Sequence, residues 1–484
     1  MSATRSTPPA ILYLLVFFSG FANLATEIIG PRMFASLLGT TTVVWAVMIS
    51  VTLVGLSVGY ALGGRVKLDQ VPVVLPVLMM GNAAWLVVTS WVVWEIPASA
   101  VSSGIRPDAT VIMFTATAGF FVPSTLFGMT SPIAITLLSA GRPAEAISEI
   151  VGNIYAISTV GSVAGALGAA FVLIPWVGLS TSLQFFAVGL VLFVAYFWQG
   201  RARLRSLAAI ILILLMPQPD WRWDDADDLT LLEQQEGYHQ TIRVYENEDE
   251  GYVQMHLGPT FHSRVDLETK EPLFSYAQAM VEVSDAAFAD LTDRRVLVVG
   301  GAGHGIAHAM ENRGADVVEV EIDPFVVELS DRYFGEIEGE VLVQDGRIYM
   351  ELAADEQFDV ILIDAFDGAA NVPPHLVTRE FFEAVRRVLQ PDGLMVYNFI
   401  GTPEGERSDS FDAISTTLNT VFDHTGSTAY AGDDSQNIVL LASKVPLTLD
   451  DLATLPDGGT LLTDNRNPME IYIQRARDFT YFQR

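Results

Sequence analysis

The chain has 484 residues, half of them hydrophobic and only 17% charged, with a formal net charge of −30. It contains no cysteine, which excludes disulfides, thiolate catalysis and cysteine-ligated zinc. The charge is uneven: residues 1–219 hold 9 basic and 6 acidic residues, leaving 18 and 51 for the remainder. So acidic a carboxyl-terminal half repels nucleic acid backbones, and no nucleic acid partner is expected. It suits a cationic substrate, although surface acid also serves solubility.

Long apolar runs occupy Ala10–Ile29, Thr42–Leu62, Val71–Trp94, Thr110–Leu138, Ile147–Trp176 and Ser180–Trp198. Each approaches or exceeds the ~20 residues that cross a bilayer. Residues 1–200 therefore read as an all-α polytopic membrane domain of about six spans. Five further runs make a signal peptide a poor account of the first. With the amino terminus inside, Arg5, Arg65, Lys67, Arg142, Arg201, Arg203 and Arg205 lie inside, against Arg32 and Arg106 outside. That bias places the acidic half in the cytoplasm. Glycines four apart (Gly55, Gly59 and Gly63; Gly161 and Gly165) suit close helix packing and also permit a homodimer. Glu27, inside the first run, is expected to pair with Arg32; Asn153 and Tyr155 are further polar candidates. Residues 201–219 read as a linker, with Leu207–Met216 as an interfacial helix too short to span, ended by Pro217 and Pro219.

Residues 220–294 read as a small β-rich lead-in, with strands at Thr241–Tyr245 and Tyr252–Leu257 before a helical Leu273–Val283. From 295 to 484, strands and helices alternate. Strands fit Val296–Val299, Val317–Val320, Val341–Val343, Val360–Ile363 and Leu394–Phe399, then Ser427–Tyr430 and Asn437–Ala442. Helices fit Gly305–Asn312, Pro324–Arg332 and Thr378–Leu389. Alternation of this kind predicts a mostly parallel sheet covered on both faces, with ligands at the carboxyl ends of its strands.

The chemistry-bearing residues fall at those ends. Gly301, Gly303 and Gly305 form a GxGxG turn after the first of these strands. The dinucleotide fingerprint GxGxxG needs glycine at 306, where this chain has Ile306, so a nucleoside is favoured over a pyrophosphate ligand. Glu321 follows Gly301 by 20 residues, where a carboxylate can accept from both ribose hydroxyls. Asp345-Gly346 stands at the expected place for an adenine amino group. Asp364 and Asp367 put two carboxylates at the end of the fourth strand. Such a pair can bind, desolvate and deprotonate an alkylammonium if one member acts as general base. The seven histidines form no HExxH pattern. His304 and His308 stand four apart, but His304 lies inside the glycine turn, so no metal is expected.

These residues resemble spermidine synthases, the aminopropyltransferases. The whole chain looks most like the membrane-fused spermidine synthase-like proteins of prokaryotes. The amino-terminal half shares GFANLATEIIGPR (Gly20–Arg32), GLSVGYALGGR (Gly55–Arg65), PSTLFGMTSP (Pro123–Pro132) and Gly152–Pro175. The soluble half shares Tyr238–Ile242, Tyr276 in FSYAQAM, the glycine turn, VEVEID, Asp345-Gly346 and Asp364 with Asp367. The resemblance implies a class I methyltransferase-like, Rossmann-like fold. It implies a multi-pass inner-membrane protein that takes decarboxylated S-adenosylmethionine, or S-adenosylmethionine itself, and an amine or polyamine. Aminopropyl transfer would release methylthioadenosine. Carried over, Gln240 and Glu321 hold the nucleoside, Asp345 faces the adenine and Asp364 is the base. Asp367 and Tyr276 line the amine channel, with His262 near the place of a family glutamine.

Departures from the family bear on the reaction. The family turn GGGDGG is GGAGHG here, so Gly303 stands where an aspartate contacts the donor's amine. DEFxYHE becomes EPLFSYAQ, and the DP after the base becomes Asp367-Gly368, with a longer loop to Pro373-Pro374. Methyl transfer, lysis or cyclisation of S-adenosylmethionine is an alternative, as is a polyamine transporter or sensor with a nucleoside-binding domain.

Overall fold

In the computed structural model the described residues are 8–38, 42–103, 109–198, 201–217, 229–258, 260–288, 290–367, 371–428, 436–449 and 451–476. The chain divides into two compact units, a helical one in the amino-terminal part and an α/β one from residue 223. Of the residues named above, Arg5, Arg106, Pro219 and Gly368 lie outside the described set, as do the last two of the expected strand Ser427–Tyr430.

Among the described residues, six helices of the first unit are long and apolar enough to cross a membrane: Pro9–Phe34, Thr42–Gly63, Val71–Pro97, Thr110–Ser139, Ala144–Val177 and Leu179–Phe197. Hereafter they are spans 1 to 6. The glycine stripes are consumed inside the chain. A Cβ on Gly59 would stand 2.2 Å from the Thr125 carbonyl oxygen of span 4, and Gly55 and Gly63 approach the same span. Gly161 and Gly165 of span 5 touch the Phe17 and Phe21 carbonyl oxygens of span 1, at 2.2 and 2.1 Å from a would-be Cβ. These stripes therefore give no support to a homodimer.

Span 4 contains a π-helical turn, Thr117–Phe121, which leaves carbonyls poorly served by the helix itself. Span 3 supplies donors: Trp85 Nε1 donates to the Ala118 oxygen at 3.2 Å and Thr89 Oγ1 to that of Gly119 at 2.9 Å. All of the apolar Leu207–Met216 segment except Met216 belongs to a 15-residue helix, Arg201–Leu215, which is below spanning length.

The second unit opens with a four-stranded antiparallel meander: β1 (Thr230–Glu236), β2 (Thr241–Asn247), β3 (Tyr252–Leu257) and β4 (Thr260–Asp266). The helix after it is Ser275–Phe288. A seven-stranded sheet follows, made of β5 (Arg295–Val299), β6 (Asp316–Glu321), β7 (Glu340–Val343), β8 (Phe358–Ile363), β9 (Leu389–Gly401), β10 (His424–Ser427) and β11 (Gln436–Ser443). Its order is β10-β11-β9-β8-β5-β6-β7; β5 to β9 run parallel and β11 antiparallel to both neighbours. The Rossmann-like expectation thus holds, with helices on both faces. Leu297, Val299, Ile361 and Ile363 join a core with Phe381, Phe382 and Phe411. The alternate residues Val296, Val298, Val360 and Leu362 join Met280, Ala307 and Met310 on the other face. Near-continuous apolar runs in β5, β6 and β8 follow from burial on both sides.

Some elements escaped the sequence reading: β1, β4 and the helices Gly346–Leu352, Asp409–Val421 and Met469–Ala476. β1 reads LLEQQE after its first residue because it is only half-covered.

Gly59→Val should lower the thermal midpoint of the detergent-solubilised chain by roughly 5 °C, since overpacking costs about 1–3 kcal/mol. Gly152→Val, where an added Cβ meets nothing within 4 Å, should leave it unchanged. Differential scanning fluorimetry of both variants checks this.

Candidate active site

The chain leaves β5 for β6 and β7 on one side and returns to β8 on the other, so the crevice above β5 and β8 is the switch point where such sheets bind ligands. Asp364 N donates to the Val299 oxygen at 2.8 Å and Gly300 N to that of Val320 at 2.9 Å, stitching three strand ends together. Gly300 has φ +97°, and a Cβ there would lie 2.4 Å from the Asp364 carbonyl oxygen. Only glycine fits.

Around the glycine turn, Glu321 is buried against backbone donors. Gly301 N donates to its Oε2 at 3.1 Å and Asp323 N to its Oε1 at 2.9 Å. Burial outweighs these bonds and pushes the carboxyl up to about 7. Asp323 caps the next helix at Phe325 N and accepts from His239 N at 3.2 Å. That second bond docks the β1–β2 turn, Gly237–Gln240, on the end of β6.

Gly303 has φ +71°, and a Cβ would meet Ser263 Oγ at 2.5 Å and Phe334 at 2.9 Å. His304 also takes a left-handed backbone, φ 51°. Its ring turns beneath the turn, with Nδ1 2.7 Å from Glu319 Oε1 and Nε2 3.1 Å from Asp331 Oδ1. Burial opposes the imidazolium, but Glu319 and then Asp331 outweigh it and raise the pKa of His304. Gly301 is needed for the same network, because a Cβ would lie 2.1 Å from Glu319 Oε1. A Cβ on Gly305 would come within 2.9 Å of Val265, which binds the turn to β4.

At the end of β7, Asp345 caps the helix Gly346–Leu352 through Arg347 N (2.8 Å) and Ile348 N (3.1 Å). Its Oδ2 faces His375 Nε2 at 3.2 Å. Gly346 lies against Val299, 2.5 Å from a would-be Cβ.

At the end of β8, Asp364 receives Asn398 Nδ2 at Oδ1 (2.8 Å), and the Tyr276 hydroxyl lies 3.2 Å from Oδ2. Despite one partly open edge, burial outweighs both bonds and pushes its carboxyl up to about 6. The same hydroxyl is 3.4 Å from the His262 carbonyl oxygen. The His262 ring is engaged with Thr260 Oγ1 at 2.8 Å, and burial depresses it to about 4, so it is neutral at pH 7. Asp367 is clamped by Asn371, whose Nδ2 donates to both carboxylate oxygens at 2.9 and 2.8 Å. The structure thus joins Asp364 to Tyr276 and to the backbone of His262, and gives Asp367 a loop partner. Sequence reasoning missed Asn398, Asn371 and His375. The signal for Asn398 was a lone polar residue inside the apolar run MVYNFI.

The strand order and crevice define a Rossmann-like domain. Residues 273–430, which lie within the α/β unit, match the family described as spermine/spermidine synthase domain. Curated relatives are polyamine aminopropyltransferases. That of Vibrio vulnificus is 28% identical over 206 residues, 40% of this chain and 65% of the relative. That of Pyrobaculum calidifontis is 37% identical over 116 residues, 21% and 40% respectively. That of Mycobacterium tuberculosis is 28% identical over 323 residues, 60% and 59%. The chain therefore spans between 40% and 65% of the length of these relatives. Among solved structures, a probable spermidine synthase from Corynebacterium glutamicum is similar at 23% identity and TM-score 0.40, over 44% of this chain and 80% of that one.

Glu321 supplies a pH signature. Its folded pKa lies above the ordinary 4.5, so its contribution to stability is full below about 4.5 and is lost as pH rises through about 7. The change is worth on the order of 3 kcal/mol at most. Glu321→Gln should flatten the fall in unfolding free energy between pH 5 and pH 8, as read by urea titration of the α/β signal. An unaltered slope would remove Glu321 as its source.

Proposed function

We propose that the chain is a membrane-anchored transferase that moves an aminopropyl-type group from decarboxylated S-adenosylmethionine to an amine. The observation that carries this reading is Asp364: a carboxyl raised to about 6, held by Asn398 and Tyr276, one strand from the glycine turn and two from Glu321. The aminopropyltransferase names of the relatives agree with it.

In this reading Glu321 and Gln240 hold the ribose side of the nucleoside, and Asp345 exchanges His375 for the adenine amino group. The acceptor arrives as an alkylammonium. Asp364 takes one proton, freeing the nitrogen lone pair. That pair attacks the donor's carbon next to sulfur, a C–N bond forms and the C–S bond breaks. The bonding electrons pass to sulfur, which leaves as the thioether of methylthioadenosine. A base with a pKa near 6 is ionised at neutral pH yet retains affinity for the proton. Tyr276 and Asn398 fix the carboxylate's orientation, so the enzyme's share is largely positioning and proton removal. The six apolar helices would anchor the chain, with the α/β unit on the cytoplasmic side by the arginine and lysine bias of the loops.

A second reading has one specific observation in its favour. With glycine at 303, no carboxylate there repels the carboxylate of intact S-adenosylmethionine, which permits methyl transfer, lysis or cyclisation. Product masses after incubation with each donor separate the readings: methylthioadenosine with an amine adduct supports the first, and S-adenosylhomocysteine the methyl-transfer version of the second.

Asp364→Asn should lower turnover at least about 100-fold while leaving methylthioadenosine affinity little changed. In the unsubstituted chain, kcat/KM should fall as pH drops below about 6, where Asp364 becomes protonated. Normal turnover in Asp364→Asn overturns the assignment of the base.

A further inference from the structure

Span 1 carries a polar line on one face. Ser19, Asn23 and Glu27 are four residues apart, and so lie above one another on a helix, about 6 Å per step. Ser19 and Asn23 are 4% and 6% exposed. Ser19 Oγ and Asn23 Oδ1 are both buried without a hydrogen-bond partner. The expected Arg32 pair does not supply the hydrogen bond of Glu27. Thr52 of span 2 lies within hydrogen-bonding reach of Glu27, and its hydroxyl donates to the Met48 oxygen at 2.6 Å. Glu27 stands seven residues inside the end of the span at Phe34. Thr52 is fully buried and Glu27 partly so, which puts the carboxylate at the edge of the packed interior of the helical unit.

A polar atom left bare inside an apolar helix bundle costs free energy, and a carboxylate costs more. Asn23 Oδ1 lacks a donor, Ser19 Oγ is unpartnered, and the one hydroxyl within reach of the Glu27 carboxylate also serves the Met48 oxygen. The missing partner is a group that brings positive charge and several N–H donors. An ammonium on an alkyl stem meets both needs, and its stem suits the apolar surroundings. The step between Asn23 and Glu27 is also close to the separation of the two nitrogens in a short alkyl diamine.

We propose that the helical unit contains an alkylammonium-binding site in which Glu27 supplies the counter-charge and Asn23 and Ser19 the neutral acceptors. The site is separate from the crevice of the α/β unit. It rests on the membrane placement of the helices and not on the transferase chemistry.

The test is equilibrium binding of radiolabelled 1,4-diaminobutane to the full chain carrying Asp364→Asn, reconstituted in phosphatidylcholine nanodiscs. Two bound equivalents are expected. Glu27→Gln should remove one of them, and Asn23→Leu, which keeps the carboxylate, should weaken the same one at least tenfold. Glu27→Gln in the otherwise unsubstituted chain should leave turnover unchanged, which also reports that the variant folds. A single equivalent lost with Glu27→Gln upholds this site and counts against the transferase reading. Binding that neither substitution alters overturns the site.

Discussion

Gly300 sets the distance on which the α/β unit depends. Its positive φ and missing side chain let the carbonyl of Asp364 come within 2.4 Å of where a Cβ would stand. The ends of β5 and β8 therefore meet with no side chain between them, and the β5 turn joins β6 through Gly301 and Glu321. Glu321 and Asp364 are brought to one crevice by the absence of a methyl group.

The legible parts of this fold are those with strong periodicity. The runs of β5, β6 and β8 are apolar at every position because both faces are covered, and the spans are apolar over their full length. β1 and β4 were missed because one side of each is open, and their sequences alternate weakly with polar residues. The site was legible to the extent that a carboxylate ends a strand: Glu321, Asp345 and Asp364 could be placed by counting. Their partners could not. Asn398 reaches Asp364 from 34 residues away, and Asn371 and His375 come from a loop whose path no periodicity sets. The Glu27–Arg32 pairing failed for a related reason, since proximity in sequence says nothing about a hydroxyl on the neighbouring helix.

In both units, backbone closeness and side-chain polarity divide the work. Spans 2 and 5 give up side chains at Gly59 and Gly161 so that helices touch main chain to main chain. Spans 1 and 3 keep polar groups in the space that remains. Trp85 and Thr89 spend theirs on the π-helical turn of span 4, whereas Asn23 and Ser19 hold theirs unspent.

The turn at Gly303 and His304 has a consequence for descent. Aspartate cannot simply return to position 303, because its Cβ would press on Ser263 and Phe334 in a left-handed backbone. Returning glycine at 304 would strip a buried carboxylate, Glu319, of its imidazole partner. Each single step towards the family turn is unfavourable by itself, and only a concerted change of the turn, β4, β6 and the helix Pro324–Phe334 would pass. The Gly303-His304 form of the turn is thus held in place by the packing behind it.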